Sequence, residues 1–224
     1  MSAQLGEHPT RQRLIAAAAH LFAERGFHGT KVRDIAQRAG VNLAAGNYHY
    51  GSKKALYLEV LRAQFNAIET ELGRRGARPT ADLARLSRAE LEVLLRNRIQ
   101  AILDLMIGAP PSLHATLMQR EMCDPSEALP VIVEEFIRPM LRETQAIVAR
   151  LAPQLDATQV ERCAFSIIGQ ALFYRFTMPA TLHVWGVRGY PRGLTPRLAE
   201  HIAAFSLGGL ARVGAARTRR RHAR

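Results

Sequence analysis

The chain has little cysteine, few aromatic residues and no long apolar run. Its two cysteines, Cys123 and Cys163, lie in EMCDP and ERCAFS and form no CxxC pair. A reduced, cytoplasmic chain is the expectation, and a disulfide framework is excluded. Aromatic residues make up 6%. No segment alternates apolar and polar residues over a β-branched run, which argues against a sheet. No apolar stretch approaches the roughly 20 residues that a membrane helix needs. The N-terminal MSAQLGEHPTRQR has no apolar core and is not a signal peptide. A P-loop, GxSxG, HExxH and paired-cysteine metal motifs are all missing, so an enzyme is not expected. The eight histidines are scattered. His114, Glu121 and Cys123 form the one set of metal-ligand types close together, and neither metal nor cofactor is predicted.

Alanine, leucine and arginine are abundant, a composition that favours helices. The formal net charge is +12. Residues 1–55 carry 8 Lys/Arg against 3 Asp/Glu, and residues 212–224 carry 6 Arg and no acid. The stretch 56–211 is almost neutral, with 17 basic and 16 acidic residues. A basic head, a neutral body and a basic tail point to a polyanion partner; a solvated arginine-rich surface is the alternative.

The periodicity predicts an all-α chain. Leu14, Ile15, Ala18, Leu21 and Phe22 share one face of a first helix over 9–25, ended by Gly26. Thr30 is placed to cap a helix over 31–39 with Asp34 in its first turn, and Gly40 ends it. Asn42 is placed to cap a short helix over 43–48. Gly51 and Ser52 precede a helix over 53–74. Ser87 and Glu90 read as a capping box opening a helix that stops near Ile107, and a shorter helix spans 113–122. A helix over 129–151 contains Pro139 as a kink. Asp156 and Gln159 open a helix to about Met178, the segment 179–193 reads as loop, and Thr195-Pro196 starts a helix to about Val213. GAARTRRRHAR reads as a disordered tail.

The segments 31–39 and 43–48 follow the helix-turn-helix pattern. Ala36 is small where two helices must approach, Gly40 supplies the positive φ of the tight turn, and Val41 follows as a buried anchor. In that arrangement the second helix enters the DNA major groove. Residues 10–57, with FAERGF, T-x-x-x-I-A, AGV, the Tyr48-His49-Tyr50 end and S-K-x-x-L-Y, resemble the N-terminal domain of TetR-family transcriptional regulators. The resemblance implies a homodimer on a near-palindromic double-stranded operator. Carried over by position, the DNA-facing residues are Thr30, Lys31, Arg33, Asn42, Leu43, Ala44, Ala45, Asn47, Tyr48 and His49, with Lys53 on a phosphate. Asn47 is the side chain in this group able to pair bidentately with adenine. Gly46 departs from the family, which usually has an aliphatic residue there; the short helix is then expected to be loosely held and to order on DNA.

Residues 75–213, through MQREMCDPS, Ile137-Arg138-Pro139 and FSIIGQALFYRF, resemble the TetR-family members with a CecR-like C-terminal domain. The expected organisation is a helix-turn-helix domain over 9–56, an effector-binding and dimerisation domain over 57–213, and a basic tail over 214–224. Small residues Ala164, Gly169, Ala171, Ala203, Ala204, Gly208 and Gly209 suit a four-helix dimer interface. Candidate effector residues are Met118, Met122, Phe136, Met140, Phe165, Ile168, Phe173, Tyr174 and Trp185, with Arg120 and Glu121 either orienting a ligand or pairing with each other. The implied function is a repressor released from its operator by an apolar or amphipathic small molecule. A charge-driven, non-specific DNA-binding protein is the alternative.

Overall fold

The computed structural model describes residues 3–42, 51–74, 80–108 and 112–222, all helix or connection, with no strand among them. The chain forms two compact units: residues 1–70 with 113–135, and residues 71–112 with 136–224.

In the first unit, α1 (Ala3–Gly29) is interrupted at Gly26, which has φ 73° and ψ 175°. That left-handed φ, open to glycine and costly to other residues, ends the regular helix where the sequence predicts. Leu14, Ala18, Leu21 and Phe22 are buried, as their spacing requires. α2 (Val32–Ala39) buries Ile35, Ala36 and Ala39. Gly40 closes it with φ 64°. Val41 N–H then reaches the Ala36 carbonyl at 3.0 Å and Gly40 N–H that of Gln37 at 3.1 Å. This is a Schellman-type end, satisfying carbonyls that a helix terminus leaves bare. α3 (Lys53–Arg74) starts after Gly51, also left-handed, and Ser52 Oγ accepts from Ala55 N–H at 3.0 Å. Leu56, Tyr57, Val60 and Leu61 bury one side of it. Phe22, Phe27 and Tyr57 form an aromatic cluster with centroids 4.8–6.0 Å apart. Each such pair contributes about 1 kcal/mol beyond its area. α5 (Leu113–Cys123) packs against α1 and buries Ala115, Leu117 and Met118.

In the second unit, a 3₁₀ turn (Thr80–Arg85) precedes α4 (Arg88–Ile107), which opens on the predicted Ser87–Glu90 capping box. Leu91, Leu95, Ile99, Ile102, Leu103 and Met106 line its buried face, which packs against α8 (Ala157–Phe176) and α10 (Leu194–His222). α8 opens on the predicted Asp156–Gln159 box.

Four expectations change. The run 129–151 is not one kinked helix: α6 (Leu129–Ile132) passes through a π turn (Val133–Ile137) into α7 (Arg138–Leu151). Pro139 has no N–H and crowds the carbonyl four residues back, and the wider turn absorbs that. Part of the predicted 179–193 loop is α9 (Met178–Trp185), closed by Gly186 at φ 66°. Thr195 lies inside α10 rather than capping it, and its hydroxyl bonds Asp104. α10 continues to His222 through the predicted disordered tail. Alanine and arginine are strong helix formers, and no glycine or proline follows Gly214 to stop them.

Candidate nucleic-acid interface and effector region

The first unit holds the elements that flank the expected second helix of the helix-turn-helix. α1, α2 with its left-handed turn at Gly40, and the start of α3 flank residues 43–50. Leu43, Ala44, Ala45, Asn47, Tyr48 and His49, and Gly46 with its expected effect, lie outside the described residues. Lys31 and Arg33 are exposed at the start of α2, and Asn42 is exposed just after it. Arg33 lies 3.5 Å from Asp34, and Asp34 also takes a 2.9 Å bond from Arg25, which ties α2 to α1.

Thr30 is a correction. Its side chain is buried, with Oγ1 3.1 Å and 2.7 Å from the carbonyls of Leu21 and Gly26. It neither faces the surface nor caps α2, whose N-cap is Lys31 without a side-chain bond. The break at Gly26 bares helical carbonyls, and the nearest hydroxyl turns inward to serve them. Lys53 has a structural partner as well: Nζ donates to the Thr30 carbonyl at 3.1 Å and stands 4.3 Å from the Phe27 ring centroid. These contacts hold a cation at the start of α3, where the helix dipole opposes it.

The effector candidates are divided between the two units. Met118, Arg120, Glu121 and Met122 belong to the first unit; Phe136, Met140, Phe165, Ile168, Phe173, Tyr174 and Trp185 belong to the second. Ile168 and Met118 are core, whereas Met122, Phe165, Phe173 and Trp185 are exposed. Tyr174 packs with Trp185 and Tyr190, at 6.4 and 6.5 Å between centroids. Arg120 and Glu121 do not pair with each other. Arg120 donates to the Ala23 and Glu24 carbonyls, both at 2.6 Å. Glu121, 1% exposed, accepts from Tyr57 Oη at 3.0 Å and from Ser126 N–H and Oγ at 2.9 and 3.0 Å. Burial of the Tyr57 phenol, and after it the Glu121 carboxylate, holds its pKa far above the usual value. His114 and Glu121 are buried while Cys123 is exposed, and no group of three metal-ligand side chains converges among the described residues.

Residues 14–60 match the model of bacterial regulatory proteins of the tetR family, and residues 91–210 match the C-terminal domain of the HTH-type transcriptional dual regulator CecR. The chain is 30% identical over 178 residues to that regulator from Shigella flexneri, spanning 76% of this chain and 77% of the relative. This chain belongs to the TetR family, with a CecR-type C-terminal domain. It is a DNA-binding transcriptional regulator and not an enzyme. The HTH-type transcriptional regulator RutR of Escherichia coli is 34% identical over 106 residues, 45% of this chain and 50% of RutR. The fold also resembles FadR from Bacillus subtilis, solved in complex with stearoyl-CoA, with a TM-score of 0.63 at 17% identity over 88% of this chain and 97% of that one.

The surroundings of two further residues of this TetR-family regulator escape sequence reading. His114 is 3% exposed, its ring edge-on to Phe65 at 4.4 Å, and its buried Nδ1 has no hydrogen-bond partner. Burial pulls its pKa down to about 4. Arg98 donates to Thr144 Oγ1 at 2.9 Å and the Met140 carbonyl at 2.7 Å, and pairs with Glu143. Its desolvation lowers its pKa, partly offset by Glu143. Nothing in the local pattern distinguishes a half-buried Arg98 from the more solvated arginines beside it; only the helices packed around it do so.

No helix among the described residues is long and apolar enough to cross a membrane.

Proposed function

We propose that the chain is a ligand-responsive repressor that binds a palindromic operator as a homodimer and leaves it when a small molecule binds the second unit. The observation that carries the reading is the frame of the first unit. A left-handed turn at Gly40 joins α2 to the segment 43–50, and Lys31 and Arg33 stand exposed where phosphates would lie. In this reading Asn47, Tyr48 and His49 meet base edges, and Lys53 reaches a phosphate with the donors that the Thr30 carbonyl leaves unused. Much of the affinity then comes from phosphates, and few direct base contacts set specificity.

The exposed side of α8 and α10 supports the dimer. Phe165 and Phe173 are each 55% exposed and Phe205 is 66% exposed. A side chain at Gly169, Gly208 or Gly209 would meet nothing within the chain. Their smallness serves no packing inside one copy and suits close approach by a second. Ala164, Ala171 and Ala203, from the same predicted set, are spent on internal packing instead. For the effector, an apolar or amphipathic molecule fits the methionine and aromatic content of the second unit, and an acyl chain such as that bound by FadR is one of this class.

The test is selection of genomic DNA fragments by the purified protein at physiological salt. Enrichment of one palindromic motif is expected. Broad binding that fades as salt rises would favour charge-driven, non-specific binding.

A further inference from the structure

We infer that Arg120 and Glu121 are positioning residues for the DNA-reading segment, each holding one of its flanks. Between Glu24 and Tyr57 lie α2, its turn and the whole segment 43–50. Arg120 grips the chain just before this stretch. Its two N–H bonds end on the Ala23 and Glu24 carbonyls, in the last turn of α1 ahead of the Gly26 break. A guanidinium there meets the negative end of the helix dipole as well as two carbonyl oxygens. Glu121 grips the chain just after the stretch, through Tyr57 Oη.

The carboxylate is held by the short turn that follows α5. Ser126 gives Glu121 both its N–H and its hydroxyl, and Ser126 Oγ accepts from Ala128 N–H at 3.1 Å. Two more bonds tie the region 120–135 to the same helices. His28 Nε2 is 3.3 Å from the Pro125 carbonyl, and Arg62 pairs with Glu135 at 2.7 Å. Adjacent residues on one helix therefore fix both ends of the reader, and each has a distinct chemical need. A carboxylate buried to this degree must keep its donors. An amide at position 121 would have a single acceptor oxygen for two donor groups and would turn an NH₂ toward one of them.

The inference rests on the DNA-binding reading above. Its test uses Tyr57→Phe, Glu121→Gln and Arg120→Ala in the full chain. The probes are the duplex recovered in the genomic selection and a scrambled duplex of the same composition. The ratio of the two affinities is expected to fall by about tenfold or more, the worth of one charge-assisted hydrogen bond. Arg120→Lys should restore part of the loss. A purely structural role would reduce the folded fraction, weaken both affinities alike and leave the ratio unchanged, which would overturn the inference. Tyr57→Phe removes one hydroxyl and keeps the ring against Phe22 and Phe27, so it retains the fold if Glu121→Gln does not. Amide exchange of α2 without DNA is the second readout. It should quicken in Tyr57→Phe while α8 stays unchanged; equal exchange in α2 would also overturn the inference. If the parent protein recovers no motif, the DNA-binding reading fails, and α2 exchange still decides whether these residues hold the flanks.

Discussion

His114 shows how much a single side chain can cost a fold. It sits in the core with one ring nitrogen unpaired, so the folded state favours the neutral ring. Its folded pKa, near 4, lies below the value of about 6.5 in an unfolded chain. The stability that this neutral ring secures is complete above pH ~6.5 and is lost as pH falls toward 4. His114→Phe keeps an aromatic ring beside Phe65 and removes the titration. Between pH 7 and pH 4.5 the parent should lose about 2 kcal/mol more stability than this variant, read from urea unfolding at both pH values. Parallel pH profiles for the two proteins would contradict the burial argument.

At the scale of elements, capping boxes and glycine breaks were legible in the sequence, whereas two threonine caps, the end of α10 and the surroundings of the helices were not. Both capping boxes, Ser87–Glu90 and Asp156–Gln159, form as read, because a cap needs only residues three apart. Replacing Ser87 or Asp156 with alanine should each cost about 1 kcal/mol, seen in chemical denaturation of the second unit. An unchanged midpoint would mean that tertiary packing alone fixes those starts. Gly26, Gly40 and Gly51 were likewise legible as breaks, and all three take a positive φ. α9 was not legible, since proline and glycine around Met178–Trp185 read locally as loop while Pro179 falls in the first turn of a helix. The surroundings of the effector candidates were hidden for a related reason. Methionine and aromatic spacing identifies a face, and only the packing shows that Phe165 and Phe173 face outward while Met118 faces the core. In sequence, Arg120 and Glu121 read as groups that orient a ligand or pair with each other. Their partners, 97 and 64 residues away, could not be read from any window.

At the scale of the molecule, the basic N-terminal stretch suits a polyanion, and the exposed face of α8 and α10 suits self-association. Phe205, the most exposed phenylalanine of the face on α8 and α10, is the residue on which a dimer would depend. Phe205→Glu should shift the protein from dimer to monomer in sedimentation equilibrium and lower operator affinity with it, because two linked heads gain from effective concentration. A variant that stays dimeric would place the interface elsewhere. Whether a two-fold pair of helix-turn-helix units reads one site is decided by hydroxyl-radical footprinting of the protein on an enriched duplex. Two protected patches related by a dyad are expected, on one face of the DNA, with protection that persists at physiological salt. Uniform protection along the duplex, lost as salt rises, would contradict that two-fold arrangement.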